Sequence, residues 1–216
     1  MSAIDFPAQL LREAASTTAD GGYDAKATEI IDAALRQFEL FGAARSTVDD
    51  IARRAKVSRV TVYRRFPGKE ALVNAVILRE LRRFLVNLDA VIKSYEDPNE
   101  KLVGGFLFTL KAMRSSRLLQ RLLESEPEMV LPYVTTNGSP IIRAGRDHLA
   151  GYLIGFASEF DDRRSEEELL TVAEVAVRLI LSFILTPEAT VDLDDPEKAR
   201  EFARRYLRPL LTGTPS

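Results

Sequence analysis

The stretch that decides the fold is TVDDIARRAKVSRVTVYRRFPGK, which occupies residues 47–69. Thr47 is of a residue type that often precedes a helix as its N-cap, because the side chain accepts a hydrogen bond from a backbone N–H group. Asp50 follows at the spacing of a capping box, so a helix is predicted to begin after Thr47. Ser58 predicts a second start in the same way. The stretch is therefore predicted to form two short helices joined by a tight turn.

The second of these helices is predicted to have a mostly polar surface. Val62 and Phe66 lie four residues apart and are predicted to face inward. The other side chains are predicted to face outward: Arg59, Val60, Thr61, Tyr63, Arg64 and Arg65. Residues 42–69 contain eight Lys and Arg against two Asp, a local charge of +6, whereas the whole chain has a charge of −2. A small basic helix exposed on an acidic protein is typical of a module that enters the major groove of DNA.

Four runs in this region resemble the helix-turn-helix of the tetracycline-repressor (TetR) family of bacterial transcription regulators. They are TVDDIA at 47–52, AKVS at 55–58, TVY at 61–63 and FPGKEAL at 66–72. The resemblance covers residues 24–84, and beyond them only the helical layout is similar. Arg65 departs from the family pattern, in which His or Tyr more often stands beside the Phe. The resemblance implies an all-α protein in which a three-helix DNA-binding domain precedes a C-terminal helical bundle that binds ligand and dimerises.

The chain is accordingly predicted to contain a flexible tail at 1–23, a DNA-binding domain at 24–84 with its motif at 47–66, and an effector-binding and dimerisation domain at 85–216. The tail has one Arg against three acidic residues, so it is not expected to bind in the minor groove. Periodicity and caps predict helices at 25–41, 69–95, 99–114, 116–126, 141–160, 165–185 and 195–210, with a loop-rich stretch at 127–140. The apolar stripe of the first helix is predicted to include Phe41, and that of the last helix Tyr206.

Composition excludes several kinds of site. With 216 residues, 46% hydrophobic and 29% charged, the chain is long enough for one or two globular domains. It has no Cys and one His, which excludes disulfides, thiolate metal sites and multi-histidine metal sites, and no cofactor is predicted. No apolar run approaches about 18 residues, and residues 1–23 lack the basic start and apolar core of a signal peptide. A cytoplasmic location without membrane contact is therefore expected.

Eight residues are predicted to contact double-stranded operator DNA. Arg59 and Arg64 are assigned to base edges, because an Arg side chain pairs bidentately with guanine. Val60 and Thr61 suit the methyl group of thymine. The resemblance implies phosphate contacts by Thr47, Tyr63 and Lys69, to which the Ser58 hydroxyl adds another. Phosphate contacts set the register on DNA and produce most of the salt dependence of binding.

The last two helices, at 165–185 and 195–210, allow two interpretations. The first of them is apolar on nearly every side, so it must be covered all round. An ordinary helix pair within one subunit would cover it, and so would a four-helix bundle formed with a second copy. One recognition helix makes few contacts, whereas a two-fold dimer presents two of them to a palindromic site. The resemblance agrees, and a homodimer through these helices is predicted.

Seven residues are candidates for an effector pocket: Phe106, Leu110, Met113, His148, Tyr152, Phe156 and Arg178. The alternative is that the apolar members are ordinary core, since an apolar stripe with one polar member is the usual helix pattern. Arg178 lies within a very apolar helix and needs a partner, either a carboxylate across the dimer or an acidic ligand. The resemblance implies a small-molecule effector, and the mixed lining suggests one that is mostly apolar with a polar end.

Enzyme and carrier functions are weaker alternatives. Pairs such as Asp49–Asp50 and Asp194–Asp195 stand at helix starts, where capping explains them, and there is no Cys nucleophile or phosphate-binding Gly loop. A helical carrier would have the same C-terminal helices but no use for a +6 cluster on a capped helix pair. The chain is predicted to be a repressor that leaves its operator when an effector tilts the helix at 69–95 and changes the separation of the recognition helices.

Overall fold

A computed structural model describes residues 22–157 and 163–212, and the regular secondary structure in these ranges is helical, which confirms the predicted all-α fold. The α-helices are α1 (Ala25–Phe41), α2 (Val48–Arg54), α3 (Arg59–Arg65), α4 (Lys69–Lys93), α5 (Pro98–Arg114), α6 (Arg117–Ser125), α7 (Pro127–Val134), α8 (Ser139–Phe156), α9 (Glu166–Leu185), α10 (Pro196–Phe202) and α11 (Arg208–Thr212). A π-helical segment, Ala203–Leu207, joins the last two. None of these helices is both long and apolar enough to cross a bilayer. Predictions for residues 1–21 and 158–162 lie outside the described residues.

The described residues fall into two compact units. The first comprises residues 22–86 and 115–137, and the second comprises residues 87–114, 138–157 and 163–212. Helix α4 contributes to both, because it continues without a break from Lys69 to Lys93. The sequence predicts a single division after residue 84. In the structure the chain instead returns to the first unit at 115–137.

The core of the first unit is built by α1, α2, α3 and the start of α4. Its fully buried side chains include the following: Ile30, Ile31, Phe38, Ile51, Val62, Leu72 and Val76. Leu118 and Leu122 of α6 are buried in the same cluster, and Val130 of α7 packs against it. These apolar contacts place residues 115–137 in the first unit.

Two predictions for this unit need correction. Phe41 is 46% exposed rather than part of the buried stripe, because α1 ends there and Gly42, with a φ of +79°, turns the chain away. The stretch at 127–140, predicted to be rich in loops, contains α7. Pro127 occupies the first turn of this helix, where the missing N–H would have had no partner.

In the second unit α8 and α9 pack closely against each other. A Cβ atom added to Gly145 would lie 3.1 Å from Cγ1 of Val177, so a larger residue would force the neighbouring side chain to shift. Helix α9 begins as predicted, with Ser165 as its N-cap in a capping box with Glu168.

The apolar residues of α9 are only partly covered within one chain. Leu169, Ala173 and Ala176 are buried, whereas Val175 is 41% exposed. The all-round burial that the sequence predicts is therefore incomplete in a single copy.

The last predicted helix is interrupted by the π-helical segment, in which the Arg208 N–H donates to the carbonyl of Ala203, five residues earlier. Asp195 caps α10 as predicted, since its carboxylate accepts two backbone N–H groups of the first turn. The inward-facing residues recur every fourth position: Ala199, Ala203, Leu207 and Leu211. Tyr206 lies outside this series and is 56% exposed, so its assignment to the buried stripe is wrong.

Candidate nucleic-acid interface

Two caps and one tight turn position α3. The Asp50 N–H donates to Thr47 Oγ1 at 3.1 Å, and the Thr47 N–H donates to Asp50 Oδ2 at 3.2 Å, which completes the capping box of α2. Lys56 turns the chain in the left-handed region, with a φ of +55°. The Thr61 N–H then donates to Ser58 Oγ at 3.1 Å at the start of α3. Both predicted caps are confirmed.

Two apolar side chains hold α3 against the core. Val62 is fully buried and Phe66 is 4% exposed, as predicted. On the outer faces Val60 is 75% exposed, and Tyr63 and Arg64 are exposed as well. The surface of α3 that the sequence assigns to DNA therefore faces outward.

Arg59 is oriented by a partner on the preceding helix. Its Nε lies 3.2 Å from Asp49 Oδ1, and its Nη1 donates to Asp49 Oδ2 at 3.3 Å. The guanidinium also lies 5.3 Å from the centre of the Tyr63 ring, and Nη2 donates to the Tyr63 hydroxyl at 3.4 Å. The Tyr63 hydrogen bond and the charge of Asp49 raise the pKa of Arg59. Sequence reasoning missed Asp49 in this role, because the two residues lie on different helices.

The hydroxyl groups of the predicted site already make local hydrogen bonds. Thr47 Oγ1 donates to Asp50 Oδ2 at 2.6 Å, and the Ser58 and Thr61 hydroxyl oxygens lie 2.8 Å apart. If the Thr47 hydroxyl contacts a phosphate, its proton must therefore turn away from Asp50. Alternatively, the phosphate binds the N–H groups in the first turn of α2, which lack partners within the helix.

Lys69, the first residue of α4, lies beside the loop that leads into α2. Its Nζ donates to the carbonyl of Ala44 at 3.1 Å. Thr47 follows that loop directly, so two of the predicted phosphate contacts, Thr47 and Lys69, lie at the same connection between α1 and α2. These assignments remain predictions.

Replacement of Lys69 by alanine is expected to lower operator affinity with little change in base preference. A phosphate contact releases counterions whatever the sequence, and each contact adds about 0.9 to the slope of log affinity against log salt. Titrations of an operator and a scrambled duplex at several salt concentrations measure both quantities. Lys26→Ala, which removes an exposed lysine paired with Glu29 on α1, is the matched control. A loss confined to one base position would contradict the phosphate role.

Arg65 does not belong to the outer surface of α3. It is half-buried, and its Nη1 donates to the carboxylate of Asp24, the N-cap of α1. Tyr23 packs against Phe66, with the ring centres 6.0 Å apart. The outward position predicted for Arg65 is therefore wrong, and Tyr23, which the sequence places in a flexible tail, packs against the core.

The seven effector candidates do not form one cluster. Phe106 and Leu110 of α5 are buried among residues of α10 and the π-helical segment. His148, Tyr152 and Phe156 instead follow one another along α8, with ring centres 5.2 and 6.0 Å apart in turn.

Arg178 pairs with a carboxylate of its own helix. It is exposed, and its Nη2 lies 2.6 Å from Glu174 Oε1, one turn earlier on the same helix. An acidic residue at this spacing satisfies the guanidinium without a ligand or a second chain. Met113, the remaining candidate, is half-buried in α5.

A polar cluster surrounds the aromatic residues of α8. The Tyr152 hydroxyl donates to Asp89 Oδ1 at 3.0 Å, and Lys93 Nζ donates to Asp89 Oδ2 at 2.5 Å. His148 meets the Tyr152 ring edge-on, and its Nε2 is buried with no hydrogen-bond partner among the described residues. Sequence reasoning missed Asp89 and Lys93, although their four-residue spacing is that of an ion pair on a helix.

Burial and Asp89 determine the protonation of this cluster. The hydrogen bond from Lys93 and that from Tyr152 hold the pKa of Asp89 below its usual value. Burial raises the pKa of Tyr152, and its bond to Asp89 acts in the same direction. Burial lowers the pKa of His148 and outweighs the opposing charge of Asp89. His148 is therefore neutral in the folded protein at neutral pH.

The unfolding free energy is expected to fall as the pH drops below 6.5, the ordinary pKa of His. The folded pKa of His148 is lower, so the unfolded chain binds more protons until the pH reaches that folded pKa. Urea unfolding of the wild type and of His148→Gln between about pH 7.5 and about pH 5.5 isolates this contribution, since the carboxylates are common to both. Equal losses in the two proteins would show that His148 contributes nothing.

Two surface cavities are lined by residues outside this cluster. One, of about 410 Å³, is lined by residues of α10, α11 and the π-helical segment: Glu197, Lys198, Arg200, Glu201, Arg204, Arg205 and Arg208. The other, of about 500 Å³, is lined by Gln37, Phe41, Arg45, Asp50, Arg53 and Arg54. None of the seven effector candidates lines either cavity.

Comparison with protein families matches both parts of the chain. Residues 30–76 match the family model described as bacterial regulatory proteins of the tetR family. Residues 97–205 match the one described as the C-terminal domain of the bacterial tetracyclin repressor.

Relatives and solved structures agree over most of the chain. An uncharacterised HTH-type transcriptional regulator of Mycobacterium tuberculosis is 28% identical over 191 residues, or 86% of this chain and 85% of its own length. The HTH-type transcriptional regulator AlkX of the same organism is 28% identical over 172 residues, or 74% and 76%. The structure of the TetR family repressor AlkX from Dietzia shares the fold, with a TM-score of 0.59, 20% identity and coverage of 89% of this chain and 97% of that chain. With its capped helix-turn-helix and these matches, the chain belongs to the TetR family and is a DNA-binding transcriptional regulator rather than an enzyme.

Proposed function

We propose that the chain acts as a homodimeric repressor, which binds a palindromic operator and leaves it when a small, mostly apolar effector binds. The observation behind the proposal is the outward, basic surface of α3, which is only seven residues long. One such helix reaches few base edges. Two copies related by a two-fold axis read two half-sites about one helical turn apart, which gives a useful specific affinity.

The surface proposed for dimerisation lies on α8 and α9. Ile154 of α8 is 44% exposed and Val175 of α9 is 41% exposed. Gly151 and Gly155 flank Ile154, and no described atom lies within 4 Å of a Cβ added at either glycine, so the helix backbone is open to close approach. Exposed apolar groups of this kind favour contact with a second protein surface.

The last helix is less suited to this interface than the sequence suggests. The exposed residues of α10 and the π-helical segment are mostly charged: Glu197, Lys198, Glu201, Arg204 and Arg205. Charged groups are depleted at the centre of interfaces, because their desolvation is costly. We therefore propose a four-helix bundle of α8 and α9 from each chain in place of the last two helices.

Ile154→Asp is expected to convert the dimer to a monomer at micromolar concentration. The substitution places an unpaired carboxylate where the second copy would cover it, at a cost of several kcal/mol. Analytical ultracentrifugation measures the change. Leu40→Asp introduces the same charge at a 55% exposed leucine on α1 and is expected to stay dimeric. A dimer that survives Ile154→Asp would place the interface elsewhere, and a monomeric wild type would defeat the dimer proposal.

The polar end of the effector is proposed to bind at Asp89, Tyr152 and His148, beside the Phe156 ring. His148 Nε2 has no hydrogen-bond partner among the described residues, and the Tyr152–Asp89 bond can be exchanged for one to a ligand. Asp89 is an acceptor that the pKa shift keeps ionised. A hydroxyl group therefore suits the site better than a carboxylate, which has no proton to donate to Asp89.

Helix α4 is the proposed connection between effector and DNA. Asp89 lies near its C-terminal end and Lys69 is its first residue. A ligand that replaces the Tyr152–Asp89 bond would shift that end of α4 and change the separation of the two α3 helices. The loss of operator affinity then equals the preference of the ligand for one separation over the other.

A gel shift with the upstream region of its own gene tests the repressor proposal. Medium-chain n-alkanols are expected to release the DNA, and the corresponding carboxylates are expected to do so less well. Tyr152→Phe keeps the ring but lacks the donor to Asp89. It is expected to bind DNA as the wild type does and to respond differently to the alkanol. A bound effector that leaves operator affinity unchanged would contradict the coupling.

A further inference from the structure

A buried carboxylate joins the turn between α6 and α7 to the loop that precedes α2. Glu126 is 2% exposed, and its Oε1 accepts a hydrogen bond from the Ala44 N–H at 2.7 Å. The two residues are 82 positions apart in the chain and belong to the same compact unit. Burial of a carboxylate costs free energy unless its interactions compensate, which indicates that Glu126 has a specific function at this position.

Glu126 does not use its side chain to cap its own helix. It stands at the N-cap position of α7, where an acidic side chain ordinarily accepts a backbone N–H of the first turn, but it makes no such bond. Its Oε2 has no hydrogen-bond partner among the described residues. The side chain is directed instead at the neighbouring loop. A Cβ atom added to Gly42 would lie 2.6 Å from Glu126 Oε1, which shows how closely that loop approaches.

The loop that Glu126 contacts adjoins two of the predicted phosphate-binding residues, Thr47 and Lys69. The Ala44 N–H donates to Glu126, while the Ala44 carbonyl accepts from Lys69 Nζ at 3.1 Å. Ser46 Oγ donates to the Gly42 carbonyl at 2.6 Å and closes the loop just before Thr47. Both polar atoms of the Ala44 backbone are therefore fixed by side chains from outside the loop.

We propose that Glu126 is a positioning residue for DNA binding, which fixes the loop at 42–46 so that Thr47 and Lys69 meet the phosphates in register. The inference rests on the phosphate roles proposed for those two residues. Phosphate contacts set the orientation of the whole module on DNA, so a loosened loop weakens contacts that Glu126 itself never makes.

Glu126→Ala removes the acceptor for the Ala44 N–H and is expected to lower operator affinity about tenfold. Glu126→Gln keeps the Oε1 acceptor for Ala44 and replaces the oxygen that lacks a partner by an uncharged NH₂ group, so it is expected to bind within about threefold of the wild type. Glu124→Ala removes an exposed carboxylate from the last turn of α6, two residues earlier, and is the matched control. The DNA is the duplex that the wild type selects from a random-sequence pool, titrated at fixed salt.

Amide hydrogen exchange separates positioning from general stability. Residues 43–47 are expected to exchange faster in Glu126→Ala, while α1 and α2 stay protected and Glu126→Gln resembles the wild type. Unchanged affinity in Glu126→Ala would overturn the proposal. So would equal losses in the Ala and Gln variants with parallel drops in melting temperature, since these indicate a structural role alone.

If Glu126→Ala does not fold, Glu126→Asp replaces it, because the shorter side chain withdraws the acceptor from Ala44. An Asp variant with wild-type affinity would then overturn the proposal. Failure of the wild type to select any duplex would instead contradict DNA binding itself, so the two failures are distinguishable.

Discussion

Replacement of Arg59 by alanine is expected to weaken operator binding on the order of a hundredfold at fixed salt. A bidentate Arg–guanine pair is worth about 1–3 kcal/mol of discrimination, and a dimer loses one pair in each half-site. Arg59 and Asp49 are both exposed, so solvent screens their ion pair and exchanging it for a base edge costs little. Anisotropy titrations of operator and scrambled duplexes measure the loss.

Two variants separate base reading by Arg59 from its charge. Arg59→Lys keeps the charge but lacks the planar fork, so it is expected to lose discrimination while the salt slope stays close to that of the wild type. Arg36→Ala removes the same charge from an exposed position on α1 and is expected to have little effect. Unchanged operator affinity in Arg59→Ala would remove Arg59 from the residues that read bases.

Replacement of Asp32 by asparagine is expected to lower the free energy of unfolding by about 2–4 kcal/mol. Arg79 of α4 is 1% exposed, and its Nη1 lies 2.8 Å from Asp32 Oδ1 of α1. Burial lowers the pKa of Arg79, whereas the charge of Asp32 acts in the opposite direction. The charged guanidinium therefore depends on its acidic partners. Without Asp32 the nearest compensating carboxylate is that of Glu80, 3.7 Å from Nε.

Two further variants show whether the loss of unfolding free energy comes from leaving the buried charge of Arg79 without its partner. Arg79→Met combined with Asp32→Leu removes both charges and is expected to recover most of the stability, because an apolar pair has no desolvation penalty. Glu29→Gln removes an exposed carboxylate from the same helix and is expected to change stability by less than about 0.5 kcal/mol. Urea unfolding measures all of them. A small effect of Asp32→Asn would show that Arg79 is compensated without Asp32.

The local features of this protein were predictable from residues a few positions apart. The Thr47–Asp50 and Ser58 caps follow from spacing alone, because a cap joins a side chain to the backbone of its own first turn. The inward positions of Val62 and Phe66 follow from helical periodicity in the same way. Periodicity alone predicts that Phe41 continues the buried stripe of α1, but the helix ends at this residue and the side chain is exposed.

The polar contacts between helices could not be read from the sequence. Asp49 with Arg59, Asp89 with Tyr152, and Glu126 with Ala44 each join residues on different elements. Their partners depend on how helices pack, and the chain offers many carboxylates at similar local spacing.

The effector candidates illustrate a second limit of sequence reasoning. A helix stripe indicates which side of each helix faces inward, but not which stripes meet. Phe106 and Leu110 pack with the end of the chain, whereas the aromatic residues of α8 lie together with Asp89. Arg178 was a candidate because of its apolar neighbours, yet Glu174 stands one turn away on the same helix.

The π-helical turn near the end of the chain determines which length changes the protein tolerates. In a regular α-helix each residue advances about 100°, so four residues overshoot a full turn by about 40°, and Leu211 would be rotated about 120° from Ala199. The wider turn at Ala203–Leu207 absorbs the excess and keeps both side chains in the core. A one-residue deletion there would restore regular geometry and still leave Leu211 within about 20° of Ala199, because eleven residues advance about 1100° in a regular helix. Substitutions at exposed Arg205 or Tyr206 would likewise leave the inward series aligned.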